Sequence, residues 1–327
     1  MKSSKPVKPQ DMKALICPLN WGLGHASRCI PIIKRLKQEG WKVVVMADGH
    51  PLQLLQQEFQ GIATIEYPSY SIYYSASDAQ LGTMLRQSPK IIRHIVREHR
   101  YLKKLQRQEN FDLIISDNRF GLWHKRTKSV YITHQLMIKM PKRFRFIEPI
   151  VWLVHRFFIN RYDECWIPDV AGSDNLSGDL SHRYPLPNRA KFIGALSRFD
   201  VPEDKKTCRQ YDIAIVLSGP EPQRSMFERK MIEMYKNSPK KTILLQGLPQ
   251  KEIQQSIVGN ISVYSHLETG EMSAILTGVE KIICRSGYSS IMDLATLNCL
   301  HKAEFHPTPG QTEQEYLATF HNKFFIF

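Results

Sequence analysis

Near the carboxyl end a short apolar strand hands over, through a glycine-containing turn, to a helix amino terminus, and the same order of elements recurs near the amino end. No other feature narrows the possible folds as much. Residues 279–284 read as a buried strand. Arg285, Ser286 and Gly287 form the turn, and Tyr288, Ser289 and Ser290 open a helix whose apolar positions, Ile291, Leu294, Ala295 and Leu297, recur at helical spacing. Such a junction makes an anion site, because unpaired backbone N–H groups and the helix dipole both point at the ligand. Arg285 adds a fixed cation beside it. Residues 302–305 read as a further strand, followed by Pro307-Thr308-Pro309-Gly310 and a cluster of acceptors: Gln311, Glu313, Gln314 and Glu315. The cation and N–H groups suit a diphosphate, and the carboxylates and amides suit sugar hydroxyls.

The strings RSGYSSIMDLA and PTPGQTEQEYLA resemble the donor half of inverting glycosyltransferases with the two-domain B-type fold. The resemblance is to the family, family 28-like, that includes the peptidoglycan UDP-N-acetylglucosamine transferase acting on undecaprenyl-linked muramyl pentapeptide. It implies an α/β fold of two Rossmann-like domains facing across a cleft. It also implies that the turn residues Arg285, Ser286, Gly287, Tyr288 and Ser289 hold the nucleotide diphosphate. Asp293 falls where an acid holds the ribose, and Gln311, Glu313 and Gln314 where the donor sugar is gripped. An ordinary βα turn with a surface-charged helix is the alternative for RSG alone.

At the amino end, residues 13–19 form an apolar run ending in Asn20-Trp21-Gly22-Leu23-Gly24-His25, and 26–40 read as an amphipathic helix. GLGHASR resembles the amino-terminal glycine loop of the same transferases, which makes Gly22, Gly24 and Arg28 acceptor-side loop residues. Gly22 and Gly24 let the backbone approach a ligand with no Cβ in the way. His25 then sits where the carboxyl edge of the sheet opens into the cleft, as a candidate general base; a histidine that merely caps the helix is the alternative. The near-continuous apolar strand 111–116 delivers Asp117 and Asn118 to its end. Several sugar transferases of the architecture this chain resembles pair their histidine with an aspartate after such a strand. The resemblance therefore makes Asp117 the candidate partner for His25, where a buried carboxylate would fix the imidazole tautomer; a loop-satisfying Asp is its alternative. His134 and Gln135 end the strand 129–133 and face the same cleft.

Other segments between these ends carry weaker signals. The strand 62–66 leads into a loop holding Tyr67, Tyr70, Tyr73 and Tyr74, which suits either stacking on acceptor sugars or half-buried packing. Residues 83–108 form a basic helix with a solvated charged face. Residues 137–162 are basic, aromatic and amphipathic, which fits either peripheral membrane contact or a core helix with flanking charges.

Residues 169–189 read as a loop region. The second domain opens with the strand 211–217 and the anion-cradling loop Ser218-Gly219-Pro220. Gly247 follows the strand 241–245, and Leu267 lies in the loop that in the family meets the base. The domain boundaries read as a disordered tail 1–12, an acceptor-binding domain 13–195, a linker 196–210 and a nucleotide-sugar domain 211–327. The family usually continues through further helices after PGQTEQEYLA, so the end, about ten residues on, reads as a truncated or frame-shifted product.

The 327 residues allow two self-sufficient cores. Lys and Arg number 45 against 31 Asp and Glu, a net charge of +14 that fits an anionic partner. Six cysteines without a CxxC pair read as reduced core thiols, not a zinc site or a disulfide frame. The basic residues are dispersed and accompany no recognition motif, so nucleic acid is not an expected partner. No cofactor is expected, and without an Asp-x-Asp string no metal either. The expected function is transfer of a sugar from a UDP-linked donor to the hydroxyl of a glycan or lipid-linked acceptor, with inversion, in the cytoplasm, either free there or at the inner face of the membrane. A nucleotide-sugar epimerase of the same architecture, or an inactive nucleotide-binding protein, is the alternative.

Overall fold

The computed structural model of the chain describes residues 12–69, 80–200, 210–250 and 252–322. The first domain is built on seven strands: β1 (Lys13–Pro18), β2 (Lys42–Ala47), β3 (Ala63–Glu66), β4 (Leu113–Asp117), β5 (Lys128–Ile132), β6 (Glu164–Ile167) and β7 (Ala190–Phe192). All pair in parallel, in the order β3-β2-β1-β4-β5-β6-β7. The helices α1 (Gly24–Gln38), α2 (Gly49–Glu58), α3 (Gln80–Glu109), α4 (Glu148–Ile159) and the single turn α5 (Asp179–His182) flank it.

A parallel sheet is covered on both faces, so its strands are apolar throughout instead of alternating. In β1, Ala14 and Ile16 pack with Ala26, Cys29, Ile30 and Ile33 of α1, while Leu15 and Cys17 pack with Leu102 and Leu105 of α3. Each fully buried Leu or Ile side chain contributes about 1.5–3 kcal/mol.

The second sheet holds β8 (Ile213–Val216), β9 (Thr242–Leu245), β10 (Gln255–Val258), β11 (Ile261–Tyr264), β12 (Lys281–Cys284) and β13 (Ala303–Phe305), in the order β10-β11-β9-β8-β12-β13. Only the edge strand β10 runs antiparallel among these pairs. Its helices are α6 (Gln223–Tyr235), α7 (Thr269–Gly278), α8 (Tyr288–Thr296) and α9 (Thr312–Asn322). Both sheets reverse their order beside the first strand, between β1 and β4 and between β8 and β12. Ligands of open α/β sheets bind beyond the strand ends at such switch points. The carboxyl ends of β1, β4, β8 and β12, with the turns and helix starts that follow, carry Gly22–His25, Asp117, Ser218-Gly219 and Arg285–Ser289.

One expectation changes, and one open alternative is decided. The 169–189 stretch is not a loop throughout: it contains α5, whose Leu180 lies in the core of the second domain. Of the acceptor cluster, Glu313 and Gln314 lie in the first turn of α9. Tyr67 is packing, buried with its ring 4.4 Å from Tyr101; Tyr70, Tyr73 and Tyr74 lie outside the described residues, as do most of the linker, 201–209, and both ends, 1–11 and 323–327. No described helix is long and apolar enough to cross a membrane.

Candidate active site in the interdomain cleft

His25 is the second residue of α1, and Asp117 is the last residue of β4, paired in register with Pro18 at the end of β1. This placement brings His25 Nδ1 to 2.9 Å from Asp117 Oδ1. Arg28, one helical turn on from His25, donates to the same carboxylate from Nε to Oδ2 and from Nη2 to Oδ1. Burial would raise the Asp117 carboxyl, but Arg28 and His25 outweigh it and hold it at about 2. The carboxylate is therefore ionised and accepts Nδ1–H of His25. Arg28 Nη2, also 2.9 Å from His25 Nδ1, can only donate, so its proton belongs to Asp117. Nε2 of His25 is left as a lone pair with no protein partner among the described residues. Burial, with Arg28 and His134 alongside, lowers the His25 imidazole below its ordinary value against the pull of Asp117. It is a neutral base.

The network continues across the cleft. Arg28 Nη1 donates to Nδ1 of His134, just past β5, at 3.0 Å. With that nitrogen accepting, the proton of His134 is on Nε2, which donates to Glu313 Oε1 of α9 at 2.8 Å. Burial would raise the Glu313 carboxyl, but His134, His25 and Arg28 lower it. The His134 ring stacks on Tyr288 at 4.1 Å with the planes 5° apart. The sequence placed His134 at the cleft but gave no signal of its partner, 179 residues away.

The two glycine loops meet here. A Cβ on Gly22 would lie 3.6 Å from Gly219 Cα, and both residues have positive φ, +82° and +99°. Gly24, the first residue of α1, accepts from Ser289 Oγ of α8 at 3.0 Å. Two helix amino termini from different domains thus converge, and neither has a side-chain cap. Their unpaired N–H groups and dipoles make this point of the cleft electropositive.

Several expected ligand groups are otherwise engaged. Arg285 lies over Phe227 at 4.1 Å and donates to the carbonyls of His306, Pro307 and Gln223. Burial lowers its pKa, and no carboxylate among the described residues pairs with it, so its charge stays uncompensated beside the turn. Ser286 donates to Gln314 O, and the Gln314 amide oxygen accepts from Thr308 N, so both brace the first turn of α9 and the 306–311 loop before it. Tyr288 donates to Pro168 O of the first domain, a packing role. Gly287 has an ordinary extended φ of −70° and open space where a Cβ would stand.

Gly247 has positive φ, and a Cβ there would meet Leu217 O at 2.6 Å; its need is steric. Leu267 packs against the second core. Asp293 does not open on the cleft as a free acid: it accepts from Ser197 Oγ of the linker at 2.6 Å, and burial, against Arg198 and Ser197, pushes it up to about 6. The linker residues Ser197 and Arg198 had no motif to reveal them. Gln311 alone of the sugar-gripping set has a side chain without a protein partner among the described residues.

No protein-family profile matches the chain, and no curated protein sequence does. Solved structures do match it in shape. The spinosyn rhamnosyltransferase SpnG superposes with a TM-score of 0.60 at 11% identity, over 95% of this chain and 84% of that one. The glycosyltransferase SsfS6 of Streptomyces sp. SF2575, solved with thymidine diphosphate, gives 0.56 at 11% identity, over 94% and 86%. A Listeria monocytogenes protein assigned as a UDP-N-acetylglucosamine 2-epimerase gives 0.50 at 13%, over 95% and 88%. The chain therefore has the two-domain α/β architecture of the B-type glycosyltransferases, a fold shared with at least one structure assigned to epimerisation.

Proposed function

We propose that this protein transfers a sugar from a UDP-linked donor to an acceptor hydroxyl with inversion, as a relative of the family 28-like transferases. The observation that carries the reading is His25: neutral, oriented by ionised Asp117, with Nε2 unpartnered at the point where two uncapped helix amino termini meet. In the step, the acceptor oxygen attacks the anomeric carbon as its proton passes to His25 Nε2, and the carbon–oxygen bond to the diphosphate breaks. General base catalysis of this kind contributes roughly 10²- to 10⁴-fold. The N–H groups of Ser286 to Ser289, the Ser218-Gly219 loop and the uncompensated charge of Arg285 receive the departing diphosphate. Gln311 and Glu313 serve the donor sugar, with the amide N–H of Gln314, whose oxygen is held by Thr308 N. Asp293 serves the ribose by exchanging its bond from the Ser197 hydroxyl for one from the ligand.

Charge neutralisation in this scheme needs no metal ion, so turnover is expected to persist in EDTA. A His25→Ala variant that loses turnover but still binds UDP supports the reading; undiminished turnover refutes it.

A glycan or lipid-linked acceptor and contact with an anionic membrane face belong to the same proposal, supported by α4. Its Ile150, Leu153, Val154 and Phe157, at i, i+3, i+4 and i+7, are each more than half exposed, whereas Glu148 and His155 are buried. The apolar stripe faces outward, and exposed Lys142, Arg143, Arg145 and Arg161 flank it. Co-sedimentation with phosphatidylglycerol vesicles, lost in a Leu153→Glu/Phe157→Glu variant, tests this part.

A further inference from the structure

Between Asp117, which orients the base, and Glu313, the links from Arg28 to His134 and from His134 to Glu313 join the two domains without themselves transferring the proton or touching the breaking bond. Each link has a fixed direction. Arg28 can only donate, so it gives protons to Asp117 and to Nδ1 of His134. His134 then has one proton left to give, and it gives it to Glu313. The ring is buried and clamped against Tyr288, so it cannot turn away without leaving polar atoms unpaired.

We propose that His134 is a positioning residue that holds Glu313 in place for the donor sugar and, through Arg28, couples cleft closure to the alignment of His25. This rests on the donor reading above. His134 touches neither the reacting bond nor the transferred proton. It acts on Glu313 from one ring nitrogen and on the Arg28–Asp117–His25 group from the other, so correct docking of α9 across the cleft and correct setting of the base occur together.

The two ring nitrogens can be tested separately. Asn at 134 places an acceptor near the Nδ1 position and keeps the Arg28 bond while losing the donor to Glu313. Gln places an N–H near the Nε2 position and keeps the Glu313 bond while losing the acceptor for Arg28. Both lose the stack on Tyr288 alike, so a merely structural role for the ring predicts equal effects.

The experiment is calorimetric titration of wild type, His134→Asn and His134→Gln with UDP and with UDP-glucose and UDP-N-acetylglucosamine, read as the ratio of nucleotide-sugar to UDP affinity, with thermal melts of each variant. The expected result is that UDP affinity holds in both variants. The sugar ratio falls about 10- to 100-fold in His134→Asn, the worth of one hydrogen bond to a charged group, and stays within about threefold in His134→Gln. Equal ratios in the two variants, or a ratio that is unchanged or raised in His134→Asn, overturn the proposal while UDP binding leaves the donor reading standing. Failure of the wild type to bind any of the three probes overturns both together.

Discussion

Gly24→Ala is the smallest change that probes the convergence of the two helix ends. A Cβ at position 24 would stand 2.7 Å from Ser289 Oγ and 3.0 Å from Ser289 Cβ, where ordinary contact begins at 3.4 Å. The hydroxyl can rotate aside, but only by giving up its bond to Gly24 O, a loss of about 1 kcal/mol. Ser289 Cβ cannot rotate, since it is fixed to α8, so the two helix ends must part by a few tenths of an ångström. His25 is the next residue and moves with Gly24. A misplacement of 1 Å costs about 10²-fold in rate, so this smaller shift is expected to cost about 10-fold in kcat. Fold and melting temperature should change little, because the position has an ordinary φ and lies at the edge of the core. The assay is UDP release under saturating donor, with a melt as control. Ser289→Gly in the Gly24→Ala background removes both crowding atoms and should recover all but the lost hydrogen bond, leaving kcat within about fivefold of wild type. If Gly24→Ala retains wild-type kcat, or the double variant is no faster than the single one, the helix ends do not set the base.

Three further outcomes follow from charges the fold has buried. Asp117→Asn leaves the Arg28 guanidinium buried without a carboxylate and should destabilise the protein by about 3–5 kcal/mol, read by urea denaturation. His155, on the buried face of α4, donates to Leu136 O at 3.2 Å and sits at about 4, lowered from 6.5 by burial. A folded value below the unfolded one means the unfolded chain binds the proton first, so stability is full above pH 6.5 and falls towards pH 4. The loss between pH 7 and pH 5 should be about 2 kcal/mol larger in wild type than in His155→Gln, measured by denaturation at both values. Asp293, at about 6, is raised instead, so its folded form keeps a proton longer and stability falls as pH rises from 3.8 through 6. Asp293→Asn should therefore stabilise the protein at pH 7 by about 2 kcal/mol while weakening UDP binding, the trade expected where an acid is held for a ligand.

The strands of both sheets were legible because a parallel sheet buries both faces and writes near-continuous apolar runs, as in 13–19, 111–116 and 279–284. The loops after them followed, since glycines 22, 24, 219 and 287 mark the turns. What escaped was whatever buries little. α6 inserts only Arg224, Phe227 and Met231 into the interior, too few to set a helical period. β10 is exposed along its whole length and has no apolar side to alternate. α9 was read as a string of acceptors because its first turn is Thr, Glu, Gln and Glu, and only Leu317, Ala318 and His321 are buried.

Within the site, His25 and Asp117 could be paired in advance because the resemblance pairs a histidine of the first glycine loop with an aspartate at the end of a strand, and β1 and β4 adjoin at a switch point. The His134–Glu313 and Ser197–Asp293 pairs could not, since their members lie 179 and 96 residues apart and no local pattern links them. Arg285 adjoins the turn in the chain itself, but its engagement with three carbonyls depends on the paths of the 306–307 loop and of the start of α6, which no local pattern encodes.

Calorimetric titration of the purified chain with UDP, GDP and dTDP, each with and without magnesium, tests the central claim most directly. The account predicts binding of UDP in preference to the other two, with the same affinity in the presence of EDTA. Binding of none of the three, or binding that appears only with magnesium, would contradict it.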